Sequence, residues 1–371
     1  MLSKLFERVV AAQIWVHLLR FDLLPPSQSG FRPGFSTETA ILRVLSDILA
    51  AVDRGDFAVL VLLDLSTAFN TVDHAILLER LRRSFGFSGV ALNWLSSYLS
   101  GRTECVQRGS CRSSMTTLVC DVPQGSVLGP VLFILYTADL PSLVTRHGLP
   151  SHLYADDTQV YGSCRAGEVG TVISRLTDCV DDVATWMRSN RLQMNAAKTE
   201  YMWFTTPRRI QQLPTGTISI DGHNILPVAS ARNLGVYFDS GLSMRRHIDV
   251  ITSRCYATLR QLRAVRRYVS PPVMQSLVTS LVLSRLDHFN CVLFGLPASS
   301  IRRLQAVQNA AARLVFNIRR SDHVTDALIC LHWLRVAERI RFKVAVMTFR
   351  SINGLPPSYL HGFAPYQAAW A

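Results

Sequence analysis

Two apolar runs that end abruptly in carboxylates constrain the fold most. The run over residues 57–63 ends at Asp64, and the run over 153–155 ends at Asp156 and Asp157. The first run is continuously hydrophobic, which is typical of a central strand buried on both faces. Burying an unpaired carboxylate is costly, so we expect acids at the ends of buried strands to share a cation.

If the two runs form neighbouring strands, the three acids meet at one point. Such a cluster would hold hard divalent cations through oxygen ligands, as two-metal phosphoryl-transfer sites do. A second interpretation stays open, because Asp156-Asp157 is also the composition of an ordinary hairpin turn. The residues alone therefore predict either a metal site or a plain turn.

The other periodicities predict an α+β body followed by a helical end. Helices are predicted at 2–19, 37–54, 74–85 (with Asp73 as its N-cap), 90–99, 127–144 and 168–189. Strands or hairpins are predicted at 57–64, 104–122, 151–161 (with the turn at Asp156-Asp157), 199–205 and 216–238. From Met244 onward the pattern is helical.

Charge is concentrated at one end of the chain. The formal net charge is +13, yet residues 1–240 are neutral, and residues 241–371 contain 18 basic and 5 acidic side chains. A basic end domain indicates a polyanionic partner, most often nucleic acid. A solvated basic face is the alternative that composition leaves open.

An amphipathic helix is predicted over residues 301–320, in this basic end. Its apolar stripe is formed by Leu304, Val307, Ala311, Leu314 and Ile318. The arginines that lie largely off this stripe are Arg302, Arg303, Arg313, Arg319 and Arg320. With Arg260, Arg263, Arg266 and Arg267 they could bind a nucleic-acid backbone without sequence preference.

Secreted and membrane-inserted proteins are excluded by two observations. The eight cysteines form no Cys-x-x-Cys pair and no cluster at metal-ligand spacing, which indicates reduced thiols of an intracellular protein. No apolar run reaches the roughly 18 residues that span a bilayer, and the N-terminus lacks a signal-peptide pattern. We expect no membrane partner.

Six motifs in family order resemble those of reverse transcriptases from non-LTR (LINE-type) retrotransposons. They are Gln28-Ser-Gly-Phe-Arg-Pro33, the segment Asp64–His74, Pro123-Gln-Gly-Ser-Val-Leu-Gly-Pro130, Tyr154-Ala-Asp-Asp157, Asn195-Ala-Ala-Lys-Thr-Glu200 and Asn233-Leu-Gly-Val236. The resemblance implies a right-hand polymerase. Its fingers and palm would occupy residues 1–240, an all-α basic thumb 241–330, and a C-terminal extension of unknown role 331–371.

The resemblance gives the acidic motifs specific roles. Asp64, Asp156 and Asp157 would be catalytic and would bind two Mg²⁺ ions, for which Mn²⁺ could substitute. The backbone carbonyl of Leu65 would complete one metal shell. Phe69 would lie under the sugar of the incoming deoxynucleotide, where its ring fills the space of a 2′-hydroxyl. Core packing is the alternative role for Phe69.

The loop motifs are expected to contact the nucleotide. Gln124 and Gly125 would lie against the nucleotide and template, unless Pro123-Gln-Gly is simply a strand-to-helix turn. Lys198 is one of only three lysines in the chain. It would be catalytic as a proton donor to the leaving pyrophosphate, a role that arginine with its higher pKa fills poorly. A solvated loop lysine is the alternative.

The remaining motif residues are expected to contact template or primer. Arg32 would approach the template or the fingers backbone, or would be a surface arginine. Asn233, Leu234 and Gly235 would shape the grip on the primer end.

Together these features predict an RNA-directed DNA polymerase that adds deoxynucleotides to a primer 3′-hydroxyl on an RNA template. The chain starts in the middle of the family's first fingers element, which suggests an N-terminally truncated reading frame. A catalytically inactive module that binds template and primer is therefore the alternative. A misfolding relic and an RNA-templated RNA polymerase are less favoured. The nucleus, the cytoplasm or both are the expected compartments, and the oligomeric state stays open.

Overall fold

The computed structural model describes residues 2–66, 68–123, 125–220, 222–355 and 357–361. Its helices are α1 (Leu2–Arg20), α2 (Thr37–Asp53), α3 (His74–Arg83), α4 (Gly89–Leu99), α5 (Gly129–Tyr136), α6 (Leu140–Arg146), α7 (Val169–Ser189), α8 (Arg245–Val265), α9 (Pro271–Val278), α10 (Ser284–Asp287), α11 (Ala298–Phe316), α12 (Thr325–Cys330) and α13 (Val336–Ile352). The helical end predicted from Met244 onward is confirmed.

The strands are short except in one sheet. They are β1 (Phe57–Leu63), β2 (Leu65–Ser66), β3 (Thr103–Glu104), β4 (Gln107–Arg108), β5 (Cys111–Arg112), β6 (Thr116–Thr117), β7 (Ser151–Tyr154), β8 (Asp157–Cys164), β9 (Gln193–Met194), β10 (Glu200–Phe204), β11 (Ile218–Ile220), β12 (His223–Ile225), β13 (Ser230–Asn233) and β14 (Val236–Asp239). Strands and helices together confirm the α+β class.

A four-stranded sheet with the order β10-β1-β8-β7 forms the centre of the fold. Strand β1 pairs antiparallel with β8, from Phe57 opposite Cys164 to Leu63 opposite Thr158. Strand β1 is therefore internal, as its continuous hydrophobicity predicts, and six of its seven residues are buried. Successive side chains of a strand point to opposite faces, so an uninterrupted apolar run requires cover on both.

Helices provide that cover. Helix α2 packs against β1, β7 and β8, and its N-cap Ser36 accepts a hydrogen bond from the Thr39 N–H. Helices α6 and α7 contact β7 and β8, respectively. The largest hydrophobic core joins alternate residues of β1 with α3, α5 and α7. The predicted N-cap of α3 is confirmed, because Asp73 accepts hydrogen bonds from the Ala75 and Ile76 N–H groups.

Two predictions around the four-stranded sheet are wrong. The helix predicted over 127–144 is two helices, α5 and α6, because Pro141 near the start of α6 cannot donate the hydrogen bond that would continue α5. The turn between β7 and β8 is Ala155-Asp156, one residue earlier than predicted. Asp157 pairs with Tyr154 and so begins β8.

The chain divides into two compact units. The first contains the residues up to Trp203 together with Leu213–Val228, and the second contains Phe204–Gln212 and the residues from Ala229 onward. The boundaries expected at 240 and 330 between fingers and palm, thumb and extension stay predictions.

The second unit contains the predicted amphipathic helix. Helix α11 packs against α8, and the stripe residues Leu304, Val307, Ala311 and Leu314 are buried. The helix ends earlier than predicted, at Phe316, because Asn317 adopts a left-handed conformation with φ of 56°. Ile318, Arg319 and Arg320 therefore follow the helix instead of continuing its faces. Within the described ranges, no helix has the length and apolar composition required to cross a membrane.

The folded protein is expected to become less stable as the pH falls, because His152 is buried in its neutral form. Burial, and secondarily the charge of Arg43, lowers the pKa of this histidine from 6.5 to about 3. Below pH 6.5 the unfolded chain takes up a proton here that the folded chain does not, so stability is lost as the pH falls. The expected loss from this group is about 1 kcal/mol per pH unit. Urea denaturation of wild type and His152→Gln at pH 7.5 and about pH 5 measures it, and equal pH dependence of the two would contradict the prediction.

Candidate active site

The register of the central sheet brings the three acids together. Asp64 follows the last residue of β1, and Leu63 is paired with Thr158 of β8. Continuing the pairing by one residue places Asp64 beside Asp157, the first residue of β8. Asp156 occupies the turn immediately before it. All three residues belong to the first unit.

The turn that carries Asp156 is unusually tight for its composition. Tyr154 pairs with Asp157, which leaves a two-residue connection. Its first residue, Ala155, is left-handed with φ of 58°. Two-residue hairpin turns require positive φ at their first central position, where alanine is disfavoured relative to glycine or asparagine. The surrounding structure must therefore hold Ala155 in place.

The acids influence one another electrostatically. Partial burial, then the charges of Asp156 and Asp64, raises the pKa of Asp157 to about 6. Burial and the charge of Asp64 also raise the pKa of Asp156. One Asp64 oxygen, Oδ2, is buried and makes no hydrogen bond with the described residues, although the Lys198 ammonium lies at ion-pair distance from it. A single ammonium beside three carboxylates leaves an excess of negative charge, which fits a site that a further cation completes.

A divalent cation would need ligands beyond these side chains. Within the described ranges, no three His, Cys, Asp or Glu side chains are arranged as a complete metal-binding group. Mg²⁺ in nucleotide-processing sites commonly uses one or two carboxylates and completes its shell with water and substrate phosphates. The residues present therefore fit Mg²⁺ as an ion shared with a substrate.

Lys198 lies at ion-pair distance from one of these acids, Asp64. Its Nζ is 3.4 Å from Asp64 Oδ2. Strands β2 and β9 pair Leu65 with Met194, and the Asn195 N–H donates to the Asp64 carbonyl at 2.9 Å. These backbone contacts place the Asn195–Lys198 segment, and with it the lysine, beside Asp64. Leu65 is buried in this pairing, and the role of its carbonyl in a metal shell stays a prediction.

Phe69 is held by other aromatic rings. It stacks on Phe133 of α5 at 4.5 Å between ring centroids and meets the edge of Phe31 at 6.2 Å. The Val122 N–H donates to the Phe69 carbonyl, which brings the loop after residue 122 next to this ring. Phe69 is only partly buried, so one part of its surface is open to a ligand.

The loop after Val122 contains two of the predicted nucleotide contacts. Gln124 lies outside the described residues. Gly125 is exposed and left-handed, with φ of 75°, and a Cβ there would meet no atom within 4 Å. Its conformation, and not local crowding, is what favours glycine at this position.

Arg32 is engaged within its own loop. Its guanidinium donates to the carbonyls of Pro25 at 2.9 Å and Gln28 at 3.1 Å, and it lies over the Phe35 ring. These contacts are with backbone of the predicted fingers motif, one of the expected roles. A contact with template stays a prediction.

Asn233, Leu234 and Gly235 belong to the second unit. They close the hairpin of β13 and β14, in which Asn233 pairs with Val236. Leu234 and Gly235 both have positive φ, of 45° and 97°, as the turn requires. Asn233 is buried, and its Nδ2 has no hydrogen-bond partner among the residues the structure describes. Their contact with a primer stays a prediction.

Sequence analysis gave no role to two side chains that support this site. Glu7 of α1 accepts hydrogen bonds from the Val127 and Leu128 N–H groups at the start of α5, where a helix favours negative charge. Gln28 contacts Ala155 of the acidic turn. Its place in the Gln28–Pro33 motif was the only signal for Gln28, and nothing in the pattern identifies Glu7.

A basic cleft lies between α8 and α11 in the second unit. Its volume is about 940 Å³, and no acidic side chain is among its described lining residues. The arginines that line it are Arg263, Arg266, Arg267, Arg313, Arg319 and Arg320. Arg266 is committed to structure, because it donates to the carbonyls of Leu314 and Val315. The cleft concentrates the basic charge that the composition indicates.

Carboxylates at the ends of paired strands, with a lysine beside them, are typical of metal-dependent phosphoryl-transfer sites. Residues 1–238 match the family described as reverse transcriptase (RNA-dependent DNA polymerase). The chain therefore belongs to the reverse transcriptase family, as the six motifs predict.

Its similar proteins are encoded by non-LTR transposons. The chain is 28% identical to a probable RNA-directed DNA polymerase from transposon BS of Drosophila melanogaster, over 96% of this chain and 41% of that protein. It is 30% identical to a probable RNA-directed DNA polymerase from transposon X-element of the same species, over 85% of this chain and 34% of that protein. It is also 30% identical to the RNA-directed DNA polymerase from mobile element jockey of Drosophila funebris, over 67% of this chain and 27% of that protein. The chain thus spans less than half the length of these relatives.

Similar solved structures are more distant. Telomerase from Candida tropicalis aligns over 99% of this chain and 55% of its own, with 11% identity and a TM-score of 0.46. The RNA-dependent RNA polymerase of a human picobirnavirus aligns over 91% and 59%, with 13% identity and a TM-score of 0.41.

Removal of the Asp157 charge, which is poorly solvated and is also repelled by Asp156 and Asp64, is expected to stabilise the metal-free protein. The folded pKa is raised, so the protonated form is favoured, and stability is lost as the pH rises through about 6. Asp157→Asn should raise Tm in EDTA at pH 7.5, with little effect near pH 4, where wild type is also neutral.

The control is Asp181→Asn, which removes an exposed charge from α7. The measurement is the Tm of wild type, Asp157→Asn and Asp181→Asn at pH 7.5 and near pH 4. A gain for Asp157→Asn that is the same at both pH values, or matched by the control, would contradict a destabilising charge at Asp157.

Proposed function

We propose that the chain is the catalytic part of an RNA-directed DNA polymerase that adds deoxynucleotides to a primer 3′-hydroxyl. The observation that carries the proposal is the convergence of Asp64, Asp156 and Asp157 at the ends of paired strands, with the Lys198 ammonium 3.4 Å from Asp64. Membership of the reverse transcriptase family supports the same reaction.

The acids would bind metal together with the nucleotide triphosphate. Asp64 and Asp156 would together hold two Mg²⁺ ions, and Asp157 would contribute less directly. Bound there, the ions would lower the pKa of the primer hydroxyl and stabilise the charge of the transferring phosphate. The mutual repulsion of the acids favours this binding, because it is relieved only by protons or cations.

Lys198 would change partners during the reaction. Without substrate its ammonium offsets the charge of Asp64. When cations and a triphosphate occupy the site, the same flexible side chain, which is about two-thirds exposed, can turn toward the leaving pyrophosphate and donate a proton to it. Gln124 and Gly125 would lie against the nucleotide on the other side.

Nucleic acid is the proposed macromolecular partner. The arginine-lined cleft of the second unit provides cationic side chains for the phosphates of an RNA template and a DNA primer. Arg32 and the Asn233–Gly235 turn would add contacts to template and primer, respectively. The nucleus, the cytoplasm or both are the proposed compartments, because copying into a genome requires access to chromosomal DNA.

Primer extension tests the proposed reaction. Wild type should extend a DNA primer on an RNA template with Mg²⁺ and deoxynucleotides. Asp156→Asn should reduce extension by about 100-fold or more, since metal stabilisation of the transferring phosphate is worth several kcal/mol. The exposed Asp181→Asn serves as the charge-matched control and should extend like wild type.

The binding alternative gives a different result in the same assay. A folded wild-type chain that binds template and primer, in a manner insensitive to Asp156→Asn and weakened by salt, but never extends the primer, would sink the polymerase proposal. The basic cleft alone would then account for the protein's interaction with nucleic acid.

Phe69 is expected to exclude ribonucleotides. Stacking on Phe133 leaves its ring little freedom to move away from a 2′-hydroxyl. Phe69→Val should therefore increase incorporation of ribonucleotides relative to deoxynucleotides by about 10–100-fold, the usual range for a change in pocket size. Phe21→Val, at an exposed phenylalanine of the same unit, is the control. Unchanged discrimination would show that Phe69 is only a packing residue.

A further inference from the structure

Gln28 binds the backbone of the acidic turn through its buried carboxamide. Its Oε1 accepts from the Ala155 N–H at 3.1 Å and from the Gly30 N–H at 2.7 Å. Its Nε2 lies 3.5 Å from the Ala155 carbonyl, to which it donates. One side chain thus contacts both backbone polar groups of the residue that precedes Asp156.

The segment around Gln28 is itself fixed to the sheet. The Ser29 N–H donates to the Leu153 carbonyl and the Leu153 N–H donates to the Ser27 carbonyl, both at 2.8 Å. The Ser29 hydroxyl and His152 Nε2 are also hydrogen-bonded at 2.8 Å. Residues 27–29 therefore extend the sheet beyond β7, next to the turn.

Gly30 allows the close approach that these bonds need. A Cβ at this position would lie 2.2 Å from the Ala155 nitrogen, which no side chain could tolerate. The requirement is steric, because Gly30 is not among the residues with positive φ. Only glycine permits the two backbones to meet here.

The same segment connects the turn to Phe69. Arg32 donates to the Gln28 carbonyl at 3.1 Å and so restrains the backbone that carries the carboxamide. Phe31 lies between Gln28 and Arg32 in the sequence, and its ring makes an edge-to-face contact with the Phe69 ring. One short segment therefore contacts both the acidic turn and the proposed sugar-contacting ring.

We propose that Gln28 is a positioning residue, which holds Ala155 in its left-handed conformation and thereby fixes the carboxylates of Asp156 and Asp157. The inference rests on the proposed polymerase function for its catalytic consequence, although the contact itself does not. A left-handed alanine persists only where neighbouring groups restrain it, and Gln28 supplies hydrogen bonds to both of its peptide polar groups. Gln28 makes no contact with substrate in this role.

Glutamine suits the position because its amide both accepts and donates. Glutamate would keep the acceptor, lose the donor to the Ala155 carbonyl and add a negative charge beside three acids. Alanine would remove all of the side-chain bonds and leave the Gly30 and Ala155 N–H groups without their acceptor.

Hydrogen exchange of the full-length protein tests the contact without requiring activity. In Gln28→Ala, peptides that contain Ala155 should exchange about tenfold faster than in wild type, the change expected from loss of one hydrogen bond. Gln159→Ala is the matched control, because Gln159 is equally buried in β8 and its amide atoms have no hydrogen-bond partner among the described residues.

Steady-state kinetics test the positioning role. In Gln28→Ala and Gln28→Glu, kcat should fall by about 10–100-fold, as small misplacements of reacting groups cause, while the Kd for template–primer stays within twofold of wild type. A merely structural role would reduce the active fraction and lower both Tm and binding capacity, as the Gln159→Ala control would reveal.

The possible outcomes separate the two proposals. Faster exchange at Ala155 with a specific loss of kcat supports the positioning role. Exchange and kcat that match the Gln159→Ala control overturn it. If wild type never extends a primer, the polymerase proposal fails, and unchanged exchange in Gln28→Ala would then also reject the contact with Ala155.

Discussion

Repulsion among three carboxylates is the constraint on which the rest of the first unit depends. Two unit charges about 4 Å apart repel by roughly 4 kcal/mol at an effective dielectric of 20. Burial raises the pKa values of Asp156 and Asp157, and this repulsion adds to the effect. Without cations, any loosening of β1 against β8 would let the acids separate. The site therefore needs a rigid framework, and six of the seven residues of β1, which ends at Asp64, are buried.

The framework is weakest at the turn, where it relies on side chains. A left-handed alanine costs about 1–2 kcal/mol, and Ala155 is restrained by Gln28 and by the two strands on either side. Arg32 restrains Gln28 in turn. A loop that the family pattern associates with template binding thus has a structural task as well. The described contacts of Arg32 include the backbone carbonyls of Pro25 and Gln28 and the Phe35 ring.

The sequence predicts the strand ends because they follow from local patterns, whereas it predicts the meeting of the acids only on the condition that the two strands are neighbours. An apolar run that ends in Asp64 has few alternatives to a buried strand, and Asp73 is an ordinary N-cap. The contact between Gln28 and Ala155 joins residues 127 positions apart, so no local pattern contains it. The turn was misplaced by one residue because Asp156 and Asp157 are equally good turn residues, and only the pairing with β1 decides between them.

Separation of charge along the sequence follows from the same repulsion. A polyanion that approaches Asp64, Asp156 and Asp157 is repelled unless cations intervene, so these acids cannot themselves attract a template. Residues 241–371 contain 18 basic against 5 acidic side chains, while residues 1–240 are neutral. Under the proposed function, placing most of the attraction for nucleic acid in the second unit would let the first keep its negative centre available to metal ions. Lys198 is a positive charge beside these acids, at ion-pair distance from Asp64. A single lysine offsets only one of the three negative charges.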